Sequence, residues 1–313
     1  MTEKNLDQIK KNKYPLTKPS QLLFDFAVNL IKEGKLDAVS AKRIEKTLTD
    51  FRGKSEEQLE AFLNSVSPIV RNRLKREYYR YVTGGYSKLN PGVTALRIQD
   101  LKPQFRKELQ NATDMSLGLI KTQNEQMMLK LENRFRNWAN ISSKDLRGSL
   151  TDDSKMISTL RKDILDEPDL RFRTKKHLQF IITDQTRKLL GNMDNITANE
   201  CGAIGFIWVT RSDDRVVGKP GGLYPKADNP QMHGNHYARE GKFYLFRYNW
   251  AIKSGYLISR DGVIYADELP DGMPSAPIGC RCMAKNIYNL EDIPARARGC
   301  ITKRGQEFIE REF

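Results

Sequence analysis

The backbone punctuation of this chain changes at about residue 200. Of its 21 glycines, 13 lie in residues 201–313, and so do 7 of its 13 prolines. Inside a helix a glycine costs about 1 kcal/mol relative to alanine and a proline about 3. Long helices therefore suit residues 1–200, and short strands joined by turns suit the rest. The fold class that follows is α+β: a mostly α-helical N-terminal region, then a small Gly-rich α+β module with antiparallel strands.

The helical reading rests on apolar spacing. Leu22, Leu23, Phe26, Ala27, Leu30 and Ile31 share one face, with Ser20 placed to cap the helix and Gly34 to stop it. A second helix is expected from Ala38 to Phe51. A third should start at the capping-box pattern Ser55-Glu-Glu-Gln58, and a fourth at Pro68, ended by Gly84-Gly85. The longest tract runs from about Leu101 to Asn140, with Met115, Met127 and Met128 read as packing residues. Helices from Asp153 to Leu165 and from Leu170 to Leu190 follow, the latter stopped by Gly191. The domain plan is a polar arm (1–18), a helical region (19–200), the α+β module (201–290) and a charged tail (291–313).

In the module, Gly205-Phe-Ile-Trp-Val-Thr210 and Phe243-Tyr-Leu-Phe-Arg-Tyr248 read as strands, and Met283–Ile287 as another. Arg260-Asp-Gly262 is the best hairpin signal, expected to pair Tyr256–Ser259 with Val263–Tyr265.

Net charge is +14. Residues 1–200 carry +11 of it and residues 201–313 only +3. Such an excess suits contact with nucleic acid or an acidic protein surface, and equally a set of solvated Lys-rich helix faces. No apolar run is long enough to span a bilayer, and the N-terminus carries no apolar signal segment, so no membrane partner is expected. The four cysteines, Cys201, Cys280, Cys282 and Cys300, are too few for a disulfide framework.

Three pieces of the last third occur in a particular order: Trp208-Val-Thr210-Arg-Ser-Asp213-Asp-Arg215-Val216, then His236-Tyr-Ala-Arg-Glu-Gly241, then Cys280-Arg281-Cys282. In that order they resemble the phage Mu F-like head morphogenesis proteins, minor capsid proteins of tailed phages. The resemblance spans roughly Leu170 to Ile287. The chain departs from the family pattern in places. Thr183-Asp-Gln-Thr186 stands where an Arg-Thr-Glu run is common, Val217 replaces the second Arg of Arg-Val-Arg, and Gly279 replaces an Asn. The resemblance implies a virion component, made in the host cytoplasm, that acts in head assembly near the portal. Its partners would be the portal protein or the major capsid protein, with non-specific contact to packaged double-stranded DNA. Trp208, Thr210, Asp213, Arg215, His236, Gly241, Cys280, Arg281 and Cys282 would then be mainly structural, with no catalytic residue and no required cofactor.

The same residues have other readings. At i and i+2 of an extended segment the Cys280 and Cys282 sulfurs point to one side and Arg281 to the other. With His236 they make a partial zinc site; without it they are two small buried cysteines at a strand start, the reading favoured by so incomplete a ligand set. A metal-dependent nuclease or hydrolase would need His233, His236, Asp213 and the cysteines together. Against it stands a loop histidine packed by Tyr237. Asp213 and Arg215 are placed to form an ion pair closing the turn after the Trp208 strand. A plain nucleic-acid-binding protein using the basic helices is the third alternative.

Overall fold

A computed structural model describes residues 17–32, 41–85, 95–145, 153–164, 168–225 and 234–312. The expected arm, residues 1–18, lies outside them except for its last two residues, and so do Gly34 and His233. The chain divides into two compact units, residues 1–71 with 114–182, and residues 72–113 with 183–313. Among the described residues no helix is long and apolar enough to cross a membrane.

The first unit is helical. It takes α1 (Thr17–Lys32), the first part of α2 (Ala41–Arg80), the last part of α3 (Ala95–Asp145), α4 (Asp153–Ile164) and the start of α5 (Pro168–Glu200). Its core joins Leu23 and Ala27 to Leu48 and Phe51, to Leu131, Phe135 and Trp138, and to Leu160 and Ile164. Glu132 is buried on α3, where Arg52 binds it through Nε at 2.8 Å and a second nitrogen at 2.5 Å.

The helix expected to end at Phe51 and restart at Ser55 and Pro68 is continuous. Leu48, Phe51, Ser55, Phe62, Val66, Val70, Leu74 and Tyr78 form one buried line through all three positions. Burial along this line outweighs the local start signals, and Pro68 is carried inside the helix. On α3 the methionines are not the core line. Met115 is 59% exposed, while Ile120, Leu131 and Phe135 are buried. Thr113 and Asn124 complete the line, each bonding the carbonyl four residues before it.

The second unit is built on a three-stranded antiparallel sheet of order β2-β1-β3, with β1 Gly205–Val209, β2 Phe243–Leu245 and β3 Met283–Ile287. Phe206 faces Tyr244 on one side of its strand and Asn286 on the other. Both sheet faces are covered, which is why β1 is an unbroken apolar run. Phe206, Trp208, Tyr244, Phe246, Cys280 and Cys282 lie in one core, and Ile204, Phe243, Leu245 and Ile287 in the other.

Three expectations are corrected here. The Arg260-Asp-Gly262 turn forms, with positive φ at Asp261 and Gly262, but its flanks do not pair with each other. Leu257 bridges Ile301, and the Ile264 carbonyl accepts the Leu245 N–H at 3.1 Å, so the backbone groups a hairpin needs are taken. Gly191 does not stop α5, which runs on to Glu200; a Cβ there would meet that of Ser275 at 2.9 Å, so the glycine serves a close approach. Residues 291–313 are not a separate tail. Ile293, Ala297, Cys300 and Ile301 are in the core, and α6 (Lys303–Glu312) lays Phe308 on Tyr256, ring centroids 4.7 Å apart.

Candidate metal centre

Three segments far apart in sequence converge on Trp208. β1 places its indole in the core with no exposure. The ladder continues past β2, where Trp208 donates to the Lys242 carbonyl (2.9 Å) and accepts from the Gly241 N–H (2.7 Å). Gly241 has φ +65°, a conformation in which only glycine is unstrained. The turn is locked on its other side by Glu240, whose Oε2 accepts from the Thr210 N–H at 2.6 Å.

Ahead of that turn lies a short 3-10 helix, Tyr237–Arg239, tied back to Asn235, whose Oδ1 accepts from the Ala238 N–H at 2.8 Å. His236 is thereby fixed inward, 4% exposed, its ring 5.1 Å from that of Trp208. Tyr237, expected to pack the histidine, is turned outward and 47% exposed. The packing comes instead from Trp208 and from Arg239, whose guanidinium lies 4.9 Å from the Trp208 ring centre.

The third segment leads into β3. Gly279 donates its N–H to Asp184 Oδ1 at 2.6 Å, so two of the departures from the family pattern meet in one hydrogen bond. The following Cys280-Arg-Cys282 alternates as expected. Cys280 Sγ lies 3.7 Å and Cys282 Sγ 3.6 Å from His236 Nδ1, while Arg281 turns away and binds Asp213 at 2.5 Å. Asp213 Oδ1 also accepts the Arg215 backbone N–H at 3.0 Å. The expected Asp213–Arg215 pair is therefore a backbone cap, and Arg281 is the charge partner, reached because alternation sends it to that side.

Behind the histidine is a residue the sequence did not single out. Asp271 receives His236 Nε2 at 2.9 Å and Arg239 at 2.6 Å, with its side chain only 1% exposed. Burial pulls the His236 pKa down, but Asp271 and Cys280 outweigh it and carry it up to about 9. Burial also raises Asp271, yet His236 and Arg239 hold it below the ordinary carboxylate range. Of the two thiols, Cys280 is the one that ionises, stabilised by Cys282 and His236, and Cys282 is pushed up beside it. Among the described residues, His236, Cys280 and Cys282 are the group whose ligand atoms lie within 4.8 Å of one another; Asp213 is outside it. Among the described residues the structure thus brings together the partial zinc site and leaves Asp213 out of it.

Beyond Arg281 a cavity of about 470 Å³ is lined by Arg187, Arg211, Arg281, Asp194 and Asp213. Burial and the neighbouring Arg281 lower the Arg187 pKa. On the cavity wall Asp194 accepts from the Tyr81 hydroxyl at 2.8 Å. Burial raises its pKa to about 6, and the Tyr81 bond offsets this only in part. A carboxyl raised in this way leaves stability intact below its unfolded pKa and costs stability as pH rises through 6. The cost at neutral pH is about 3 kcal/mol. Asp194→Asn keeps an acceptor for Tyr81 and is expected to stabilise the protein by up to about 3 kcal/mol at pH ~7.5 and by nothing near pH ~4. Urea melts at the two pH values test this; coincident curves at the higher pH would refute it.

Compared with known proteins, the chain matches no family model, no curated protein and no solved structure.

Proposed function

We propose that this chain is a minor head protein of a tailed phage, built on the Mu F-like plan and acting near the portal in head assembly. The supporting observation is the convergence of its motif residues. Trp208 packs on His236, His236 on Cys280 and Cys282, Gly241 bonds Trp208, and Asp213 joins Arg281 to the Arg215 backbone. Thr210 is tied in through Glu240. A set of residues spread from 208 to 282 that folds into one interlocked body behaves as one motif, which is the premise of the resemblance.

In this reading the helical region docks on portal or capsid subunits, and the C-terminal module is a compact body. Packaged double-stranded DNA would meet the basic surface through its phosphates, independent of sequence and weakened by salt. The +11 balance of residues 1–200 and the arginine-lined cavity are compatible with that contact. In this reading the chain is present in the host cytoplasm during assembly and becomes part of the virion.

Co-expression with the proteins encoded beside it, followed by a high-salt wash, is the test. A ring-forming portal protein or the major capsid protein eluting with it in fixed ratio is the expected result. Elution of the chain alone would overturn the proposal.

A further inference from the structure

We propose that His236 Nδ1 and the sulfurs of Cys280 and Cys282 bind one zinc-class divalent cation, with Asp271 as the positioning residue behind the imidazole. This site stands independently of the head-assembly reading.

The distances fit such an ion. Zinc bound tetrahedrally, with Zn–S near 2.3 Å and Zn–N near 2.0–2.1 Å, places its sulfur and nitrogen ligands about 3.6 Å apart. The two sulfurs lie 3.6 and 3.7 Å from His236 Nδ1. Two sulfurs and an imidazole are also the donor set that selects zinc over magnesium or calcium.

The surroundings fit as well. Asp271 engages the ring nitrogen opposite the sulfurs, the arrangement that fixes a ligating histidine and raises its basicity. Its negative charge is balanced by Arg239. Two thiolates then balance a divalent ion, so the buried cluster is neutral overall. The Trp208 indole is buried in the same core as both cysteines, so the sulfurs are walled off from solvent. A disulfide is the poorer alternative, because a bridge across a single intervening residue is strained, and both cysteines are free.

All three ligand residues are 4–6% exposed. Three protein ligands leave one coordination position for water or another donor, but so closed a centre points to a structural ion. It would pin the 3-10 turn carrying His236 to the approach of β3, and its binding energy would become folding energy of the unit.

The test uses the full chain. Elemental analysis after expression in zinc-containing medium should find about one zinc per chain. Removal of zinc with a chelator and addition of cobalt should give a thiolate-to-cobalt charge-transfer band. Cys280→Ser and Cys282→Ser should each weaken that band. Asp271→Asn should keep it while lowering metal affinity about 10–100-fold, a loss that a purely structural carboxylate would not cause. The wild-type measurements decide even if the serine variants fail to fold. Metal-free protein that shows no sulfur band with cobalt would overturn the site, whatever the portal experiment shows.

Discussion

Trp208→Ala is expected to destabilise the second unit by about 3–5 kcal/mol, the range for deleting a large buried aromatic. The side chain has no solvent exposure. It lies against His236, Tyr244 and the Arg239 guanidinium. Its loss opens a cavity at the middle of one core, and it also frees the imidazole and guanidinium that the indole holds in place. A domain is usually stable by only about 5–15 kcal/mol, so the variant should populate an unfolded second unit at modest denaturant. Near-UV circular dichroism during a urea melt, with hydrogen exchange of the β1 amides, reads this directly. Trp208→Phe keeps a flat ring and should cost less. Melts of the alanine variant that overlie the parent's would refute the central place given to this residue.

Much of this architecture is written locally in the chain. The move from helices to short strands follows from glycine and proline placement, and β1 and β3 are apparent as short runs between turn residues. The errors fall where a local signal competes with a distant contact. Ser55 and Pro68 look like helix starts, but the buried line from Leu48 to Tyr78 carries the helix through them. Asp261-Gly262 makes its turn, but Leu257 finds Ile301 as its partner, a choice set by the fold and invisible in the turn.

The site divides in the same way. His236, Cys280 and Cys282 are legible because their chemistry is rare and their order resembles a known motif. Asp271 and Arg239 are not, because an aspartate beside a glycine and an arginine in a loop are common surface residues. Only the folded chain brings them behind the histidine, and no spacing rule foretells that. Arg281 was half legible: alternation gives its direction but not Asp213 at the end of it.

Asp271→Ala should cost about 3–5 kcal/mol, because it strips one partner from a buried ion pair. The carboxylate holds both Arg239 and His236, and the Arg239 side chain is only 10% exposed. Without Asp271 a guanidinium is left in a nearly dry site, with the face of Trp208 as its remaining electrostatic support. That support is worth about 2 kcal/mol when desolvated, too little to replace the pair. The cost should therefore come mainly from the stranded charge. Adding Arg239→Met to Asp271→Ala removes that charge and should recover much of the lost stability, since burying neither ion is often no worse than burying both. Melts run in excess chelator separate this effect from any metal, because the Asp271–Arg239 pair involves no metal ligand atom. If the double variant is as unstable as the single one, the energy resides in Asp271 holding His236, and the ion pair with Arg239 is secondary.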